Sequence, residues 1–166
     1  GLNTSAILGY INTFLEILRK WRPTHLAVAF DTPEPTFRHE EYKEYKAGRE
    51  EMPEDLSAAI PHILEVTEAF NIPILRYPGY EADDVIGTLA RQAAARGMET
   101  YIVTPDKDFS QLVADTVYLC KPGRQGVDIL GVPEILKRWG IASIEQVIDI
   151  LGLTGDASDN IPGVPG

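Results

Sequence analysis

Four short apolar runs, separated by amphipathic stretches, constrain the fold of this chain most strongly. The runs His25–Asp31, Ile72–Tyr77, Thr100–Thr104 and Val117–Lys121 have the length and composition of buried strands. Between them, apolar residues recur every three or four positions, which is typical of helices that bury one face. Strands that alternate with helices predict an α/β domain with a mostly parallel sheet flanked by helices.

The amphipathic stretches give the predicted helices. In the first, Ile7, Ile11 and Leu18 fall on one stripe. Pro61 lies in the middle of the second, so both a kink and a break are open there. The glycine-rich stretch Pro122–Gly131 is either a loop or a hairpin. The helices are predicted at residues 1–20, 53–70, 85–96, 132–139 and 143–151.

The stretch Gly79–Asp84 concentrates negative charge. Glu81, Asp83 and Asp84 place three carboxylates within four residues, directly before a predicted helix. Carboxylates this close repel one another unless positive charge lies nearby. A helix N-terminus supplies part of it, and a divalent cation with oxygen ligands supplies more. An acidic first helical turn that binds nothing is the alternative.

Further acids follow other predicted strands. Asp31 closes the first strand, although an Asp that starts a turn before Pro33 is an alternative. Asp106 and Asp108 follow the third strand, where Asp108 with Gln111 also resembles a capping box. A last pair lies one helical turn apart near the end of the chain, with capping again the alternative. The candidate metal ligands are Asp31, Glu81, Asp83, Asp84, Asp106, Asp108, Asp156 and Asp159.

The residue types in this set predict the metal. No cysteine and no suitably placed histidine joins the acids, and ligation by oxygen alone favours Mg²⁺ or Mn²⁺ over zinc. Eight carboxylates are too many for one Mg²⁺, which keeps several waters. Two ions ~3.5–4 Å apart are the natural number, and such a pair serves in-line displacement at phosphorus.

Residues 35–52 differ in character from the rest of the chain, since they are polar, charged and poor in core residues. If they form a helix, cationic and aromatic side chains share one sector of about 100° while the acids lie outside it. Such a stripe suits a phosphate strand with stacked bases, and a solvated helix with internal ion pairs is the alternative. The stripe comprises Arg38, Tyr42, Tyr45, Lys46 and Arg49.

The net charge of −10 argues by itself against nucleic acid. Setting the eight candidate ligands aside leaves 15 basic and 17 acidic residues, so much of the acidity is one predicted metal site. Near the C-terminus, Gly163 and Gly166 flank a turn whose free N–H groups could meet a phosphate. Cys120 is the single cysteine, so there is no internal disulfide, and a reducing, cytoplasmic setting is expected. No run is long and apolar enough to span a membrane.

With these motifs in their order, the chain resembles the 5′-nuclease (flap endonuclease) family, and within it the 5′→3′ exonuclease domain of bacterial DNA polymerase I. The match runs through nearly the whole chain. It rests on five stretches, which are Ala29–Asp31, Phe37–Arg49, Gly79–Asp84, Thr104–Asp108 and Leu153–Gly163.

The resemblance implies a PIN-like α/β nuclease that uses divalent metal to cut 5′ flaps and 5′ ends of DNA or RNA–DNA duplexes in replication and repair, including primer removal. It implies that the eight acids hold the metals, directly or through water. Residues 35–52 resemble the helical arch through which the 5′ strand passes, and are called the arch segment below. In the arch, Lys46 matches a lysine thought to contact the scissile phosphate, with Arg38 and Arg49 as its basic companions. The residues expected to contact DNA are Arg38, Tyr42, Tyr45, Lys46, Arg49, Gly163 and Gly166.

Two departures from the family pattern shape the expected domains. The family's first strand, which ends in a further metal-binding Asp, is expected before Gly1, and its absence would leave sheet edges open to dimerisation. Residues 153–166 are expected to start a helix–hairpin–helix that continues beyond the chain, and residues 1–152 to form the nuclease core. A polymerase module is expected to follow in the full protein.

Two other functions stay open at this stage. The chain could be a DNA-binding fragment that lacks part of the catalytic set, or a ribonuclease of the PIN type. A haloacid-dehalogenase pattern is excluded, because it needs a second Asp at the position that Pro33 occupies.

Overall fold

The computed structural model of the chain describes residues 3–123 and 126–165. They form two compact units. The first unit contains the residues up to Glu34 together with Glu50–Ala82, and the second contains Pro35–Arg49 and the residues from Asp83 onward. In chain order the elements are α1 (Ser5–Lys20), β1 (Val28–Ala29), α2 (Phe37–Glu41), α3 (Glu54–Ala69), β2 (Ile74–Leu75), α4 (Ala82–Ala95), β3 (Thr100–Val103), a 3₁₀ helix (Asp108–Leu112), β4 (Val117–Gly123), β5 (Gly126–Leu130), α5 (Val132–Trp139) and α6 (Gln146–Thr154).

In the first unit, helix α1 packs against α3. The predicted stripe of α1 buries Phe14 and Ile17. The Tyr10 hydroxyl lies 2.7 Å from Oγ1 of Thr67, and the Phe14 ring meets Phe70 edge-on with 5.3 Å between centroids. Apolar contacts between α1 and the α3 region therefore form the core of the unit, and the hydrogen bond between the Tyr10 and Thr67 hydroxyls adds to them.

Helix α3 and the two strands of this unit differ in part from the prediction. α3 is one continuous helix with Pro61 inside it, so the helix does not break there. Strands β1 and β2 are parallel, with Val28 opposite Ile74 and Ala29 opposite Leu75. Each has two residues, shorter than the apolar runs, because β1 and β2 have only each other as partners among the residues described.

The second unit is built on a three-stranded sheet in the order β3-β4-β5. β3 and β4 are parallel, with Thr100 opposite Val117. β4 and β5 are antiparallel, with Cys120 opposite Ile129. The stretch Pro122–Gly131 is therefore a hairpin, and its residues 124–125 lie outside the described part of the chain.

One face of this sheet carries the core of the unit. Ile102 and Leu119 pack with Ile135 and Val147 from the helices α5 and α6. Cys120 is fully buried, and burial raises the pKa of its thiol to about 12, so it stays protonated and unreactive.

The last two helices differ in how well their starts were predicted. α5 begins at Val132 as expected, because the Gly131 N–H donates to Oε2 of Glu134. α6 begins at Gln146 and not at Ser143. The Gln146 side-chain oxygen accepts the N–H of Ser143 at 3.1 Å, which holds the preceding residues in a turn outside the helix. No helix in the described part of the chain is long and apolar enough to cross a membrane.

Candidate functional site

In the first unit, the predicted ligands Asp31 and Glu81 follow β1 and β2. Asp31 is exposed just beyond β1, and its Oδ1 accepts the N–H of Ala82 at 2.7 Å. Ala82 is the first residue of α4, so Asp31 serves as a cap supplied from a neighbouring strand. Glu81 is half-buried directly before that helix. Two of the eight predicted ligands therefore belong to this unit.

The second unit pairs an acid of the α4 first turn with an arch residue. Arg38 donates to both carboxylate oxygens of Asp84, with Nη1 at 2.7 Å and Nη2 at 2.8 Å. This bidentate geometry is the strongest form of an Arg–carboxylate pair. Asp83, one residue earlier, is exposed. A cation predicted to act on phosphate thus lies on a carboxylate predicted to hold metal.

In the loop after β3, side-chain oxygens accept hydrogen bonds from the backbone of the same loop. Oγ1 of Thr104 accepts the Asp106 N–H at 3.2 Å, and Oδ1 of Asp106 accepts the Asp108 N–H at 2.8 Å. The capping box that was the alternative for Asp108 and Gln111 does not form, because Nε2 of Gln111 donates to the Asp108 carbonyl instead. Asp106, two residues before Asp108, takes the capping role, since its short side chain reaches that N–H.

In the turn after α6, an aspartate side chain likewise accepts hydrogen bonds from residues that closely follow it. Oδ1 of Asp156 accepts the Ser158 N–H at 2.8 Å, the Ser158 hydroxyl at 2.6 Å and the Asp159 N–H at 3.3 Å. The hydrogen bond from the Ser158 hydroxyl is the main reason that the pKa of Asp156 lies below its ordinary value. The second oxygen, Oδ2, makes none of these bonds.

Two glycines allow the chain to fold closely around this turn. Gly155 has φ +66°, and a Cβ there would lie 2.4 Å from the Gly163 nitrogen and from the Ile161 carbonyl oxygen. A Cβ on Gly163 would lie 2.4 Å from the Thr154 carbonyl oxygen. Backbone proximity therefore explains why Gly163 is a glycine. Its predicted contact with phosphate stays a prediction, and Gly166 lies outside the described residues.

Lys107 connects two acidic segments of the second unit, which are the loop with Asp106 and Asp108 and the turn with Asp156 and Asp159. These two segments are called the acid turns below. Nζ of Lys107 donates to Oδ1 of Asp108 at 2.9 Å and lies 3.9 Å from Oδ2 of Asp156. The hydrogen bond to Asp108 raises the pKa of Lys107. The ammonium group thus partly neutralises two predicted metal ligands. The Asp-Lys-Asp sequence could have indicated it, because a cation between two acids is well placed to pair with either.

The arch segment does not form the predicted helical stripe. Helix α2 ends at Glu41, because Tyr42 takes an extended backbone conformation with φ −135° and ψ 98°. The residues after it form turns. Tyr45 is 5% exposed, whereas Arg49 is exposed. The cationic and aromatic side chains therefore do not share one surface. Residues 50–52 belong to the first unit.

Tyr45 and Lys46 instead reach the turn after α6. The Tyr45 hydroxyl donates to Oδ2 of Asp159 at 3.1 Å, and Nζ of Lys46 lies 4.0 Å from the same oxygen. The Tyr45 ring also meets the edge of His39, with 5.2 Å between centroids. The side chain of His39 accepts the Thr36 N–H at 3.2 Å and so fixes the start of α2. Sequence reasoning missed His39, although a Thr with a hydrogen-bonding residue three positions later is a capping signal.

The second unit therefore brings predicted cations and predicted acids together in pairs. In residues 3–123 and 126–165, however, no three Asp, Glu, His or Cys side chains form a group that could hold a metal ion. The donor set is nevertheless that of a hard cation, since all eight members are carboxylates.

The chain matches a family of nucleases over most of its length. Residues 1–140 match the model of the family described as "5'-3' exonuclease, N-terminal resolvase-like domain". DNA polymerase I of Bacillus subtilis is 42% identical over 168 residues, covering 100% of this chain and 19% of that protein. DNA polymerase I of Chloroflexus aurantiacus is 46% identical over 170 residues, covering 100% of this chain and 18% of that protein. The chain thus spans about a fifth of the length of these relatives.

Solved structures share the fold. A T5 5′-exonuclease with bound zinc ions superposes with a TM-score of 0.76 at 23% identity, covering 95% of this chain and 61% of that one. The catalytic core of Rad2 in complex with a DNA substrate gives 0.58 at 22% identity, covering 96% of this chain and 48% of that one. The predicted PIN-like α/β class is thereby confirmed. The helix–hairpin–helix start stays a prediction.

Proposed function

We propose, from the premise that the chain belongs to the 5′-3′ exonuclease family, that it carries the nuclease part of a longer polymerase-type protein. The proposed reaction is metal-dependent hydrolysis of phosphodiester bonds at 5′ flaps and 5′ ends of DNA. The proposed setting is cytoplasmic replication and repair, where such cutting removes primers, so RNA–DNA hybrids are included as substrates.

One observation carries this proposal, which is the pairing of basic arch side chains with acids in the second unit. The Arg38 guanidinium contacts Asp84, and the Lys46 ammonium lies beside Asp159. Phosphoryl transfer needs this combination, since acids that hold metal and cations that hold phosphate must act on the same group.

A hard divalent cation suits the donor set, and two ions of Mg²⁺ or Mn²⁺ are proposed. The ligands proposed for them are the eight acids named from the sequence, acting directly or through water. When bound, such cations activate water and neutralise charge that develops on the phosphate. Both oxygens of Asp84 are bonded to Arg38. Because each carboxylate oxygen has two lone pairs, Asp84 could hold a cation while Arg38 stays bonded to it, which would keep the Arg38 guanidinium close to the proposed site.

Lys46 and Arg38 are proposed as the catalytic cations, and Tyr42, Tyr45 and Arg49 as DNA contacts. The Lys46 side chain is 18% exposed and lies beside the Asp159 carboxylate. Arg49 is exposed and is suited to contact a phosphate farther from the reacting bond. Binding through such contacts weakens as the salt concentration rises.

A labelled 5′-flap substrate tests the reaction. We expect cleavage with Mg²⁺ or Mn²⁺ and none with chelator. The double variant Asp84→Asn with Asp106→Asn should lose roughly 100-fold or more in rate, because charge stabilisation at phosphorus is removed. The matched control is Glu68→Gln with Asp149→Asn, which neutralises two exposed acids elsewhere. Flap cleavage that survives the first double variant contradicts the proposal.

The same assay separates the other functions. Salt-sensitive binding of the flap without turnover at any metal concentration supports a DNA-binding fragment without catalysis. Faster cutting of single-stranded RNA than of the DNA flap supports a ribonuclease. Size-exclusion chromatography during purification tests the predicted dimer, since β1 and β3 each pair on one side only among the described residues.

A further inference from the structure

The arch turn of residues 42–46 is tied to the turn that follows α6. The Lys46 N–H donates to the Asp159 carbonyl at 3.0 Å. The Tyr42 hydroxyl donates to the Asn160 carbonyl at 3.2 Å, and the Asn160 side-chain amide donates to the Glu44 carbonyl at 2.9 Å. Together with the bond from the Tyr45 hydroxyl to Oδ2 of Asp159, these hydrogen bonds connect two turns that are more than a hundred positions apart in the chain.

The backbone at both ends of this connection is unusual. Lys46 has φ +58° and Asn160 has φ +59°, and both are in the left-handed region. Asn adopts this conformation more readily than other residues, but a lysine is disfavoured there. Such backbone persists only where the surroundings enforce it. The Lys46 N–H is bonded to the Asp159 carbonyl, and the Asn160 amide is bonded to the carbonyl of Glu44, two residues before Lys46, so the turn after α6 helps to maintain the Lys46 conformation.

The connection decides where the Lys46 side chain lies. Its backbone N–H is bonded to Asp159, and its Nζ lies 4.0 Å from Oδ2 of the same residue. Tyr45 is bonded to that oxygen as well. If the arch turn moved away from residues 159–160, the Lys46 ammonium would leave this carboxylate.

We infer that Asn160 is a positioning residue that holds the arch turn and thereby fixes Lys46 beside Asp159. Its amide is the one side-chain group of the turn after α6 that bonds to the arch backbone in the contacts described. The role assigned to Lys46 rests on the proposed function, whereas the contact itself does not. Asn160 therefore adds to the site a residue that touches neither phosphate nor metal.

The variant Asn160→Gly removes the amide and leaves the backbone free to keep its positive φ. The matched control is Asn71→Gly, which changes the same residue type at φ +56° in the first unit. Acylation of lysine amines, followed by mass spectrometry, reports on Lys46 without any nuclease activity, with exposed Lys43 as internal reference. We expect Lys46 to react about fivefold faster in Asn160→Gly, the factor that one hydrogen bond contributes to an opening equilibrium. An unchanged Lys46 rate, or an equal rise in Asn71→Gly, overturns the inference.

Cleavage kinetics test the consequence for the reaction. In Asn160→Gly we expect kcat on the 5′-flap substrate to fall about tenfold with KM nearly unchanged, because a misplaced group costs rate and not binding. Lys46→Met should have a smaller effect in the Asn160→Gly background than in the parent chain, since both changes remove one interaction. Additive effects overturn the positioning role. If the parent chain cuts no flap, the proposed function fails for this chain, while the acylation rates still decide what Asn160 holds.

Discussion

Two regions of the second unit meet at the candidate site, and they are held in different ways. In the acid turns, each leading carboxylate bonds to residues two or three positions away, as Asp106 does with Asp108 and Asp156 with Ser158. In the arch, the partners are distant. Arg38 bonds to Asp84, 46 positions away, and the Tyr42 hydroxyl to a carbonyl 118 positions away.

The difference shows which part of the site the local sequence organises. The acid turns form from short-range bonds and keep their carboxylates oriented whatever the arch does. The arch backbone also makes short-range bonds, but the carboxylates that Arg38 and Lys46 contact are distant in the chain, so these cations are placed only when the rest of the second unit is folded. Loss of the turn after α6 should therefore displace both regions, whereas loss of an arch contact should displace the arch alone.

The strongest test breaks the turn after α6 at Gly155. A Cβ at this position would lie 2.4 Å from backbone atoms, and φ is +66°. We expect Gly155→Ala to lower the free energy of unfolding by about 3 kcal/mol, from strain plus the clash, as measured by urea denaturation. The control is Gly152→Ala, three residues earlier in α6 with nothing near its Cβ, which should stabilise by up to about 1 kcal/mol. Similar effects from the two variants would show that the close approach does not stabilise the turn.

A smaller loss in the free energy of unfolding is expected when the arch residue Arg38 is changed. Arg38→Met removes a bidentate pair whose side chains are 33% and 23% exposed. Because solvent screens the pair, we expect a loss of about 1 kcal/mol in the free energy of unfolding, together with loss of flap cleavage. Arg38→Lys should recover little of either, since an ammonium cannot reproduce the two-pronged contact.

A double-mutant cycle with Asp84→Asn isolates the Arg38 pair. If the two changes act through one contact, the double variant should be no less stable than either single variant. Independent losses would mean that Arg38 and Asp84 stabilise the unit through separate partners, and that the arch is held here by something other than this ion pair.

The contrast between short-range and long-range contacts also explains how much of the fold and of the candidate site could be predicted from the sequence. The hairpin alternative, helix α5 and the acids at strand ends follow from local patterns, and the structure has all of them. The arch stripe failed because Tyr42 ends the helix and Tyr45 is buried against Asp159, a partner that no pattern near residue 45 reveals. Strands β1 and β2 are shorter than their apolar runs, because pairing depends on a neighbouring strand and not on composition.

The acid turns also mislead at the level of single residues. Asp108 with Gln111 satisfies the pattern of a capping box, but Asp106 makes the bond, because a side chain two residues earlier competes for the same N–H. Local patterns thus predict that an acid forms a side-chain hydrogen bond near the start of the helix, but they do not predict which acid does so. Asn160 was missed for a related reason, since Glu44 becomes its neighbour only when two turns are folded side by side. The contact of Lys107 with Asp156 was hidden in the same way, although its bond to the adjacent Asp108 was not.

The smallest expected effect lies within the acid turn and depends on pH. The Ser158 hydroxyl holds the pKa of Asp156 below the ordinary value of 3.8. A depressed carboxyl pKa stabilises the folded chain above pH 3.8, and this stability is lost as the pH falls through the lower folded pKa. Ser158→Ala should therefore cost about 1 kcal/mol or less at pH 7, and the difference should narrow below about pH 4. Thermal unfolding from pH 2.5 to pH 7 measures it, with Ser57→Ala on the exposed face of α3 as the pH-independent control. A difference that stays constant across this range would mean that Ser158 stabilises the turn by its shape, and not through the charge of Asp156.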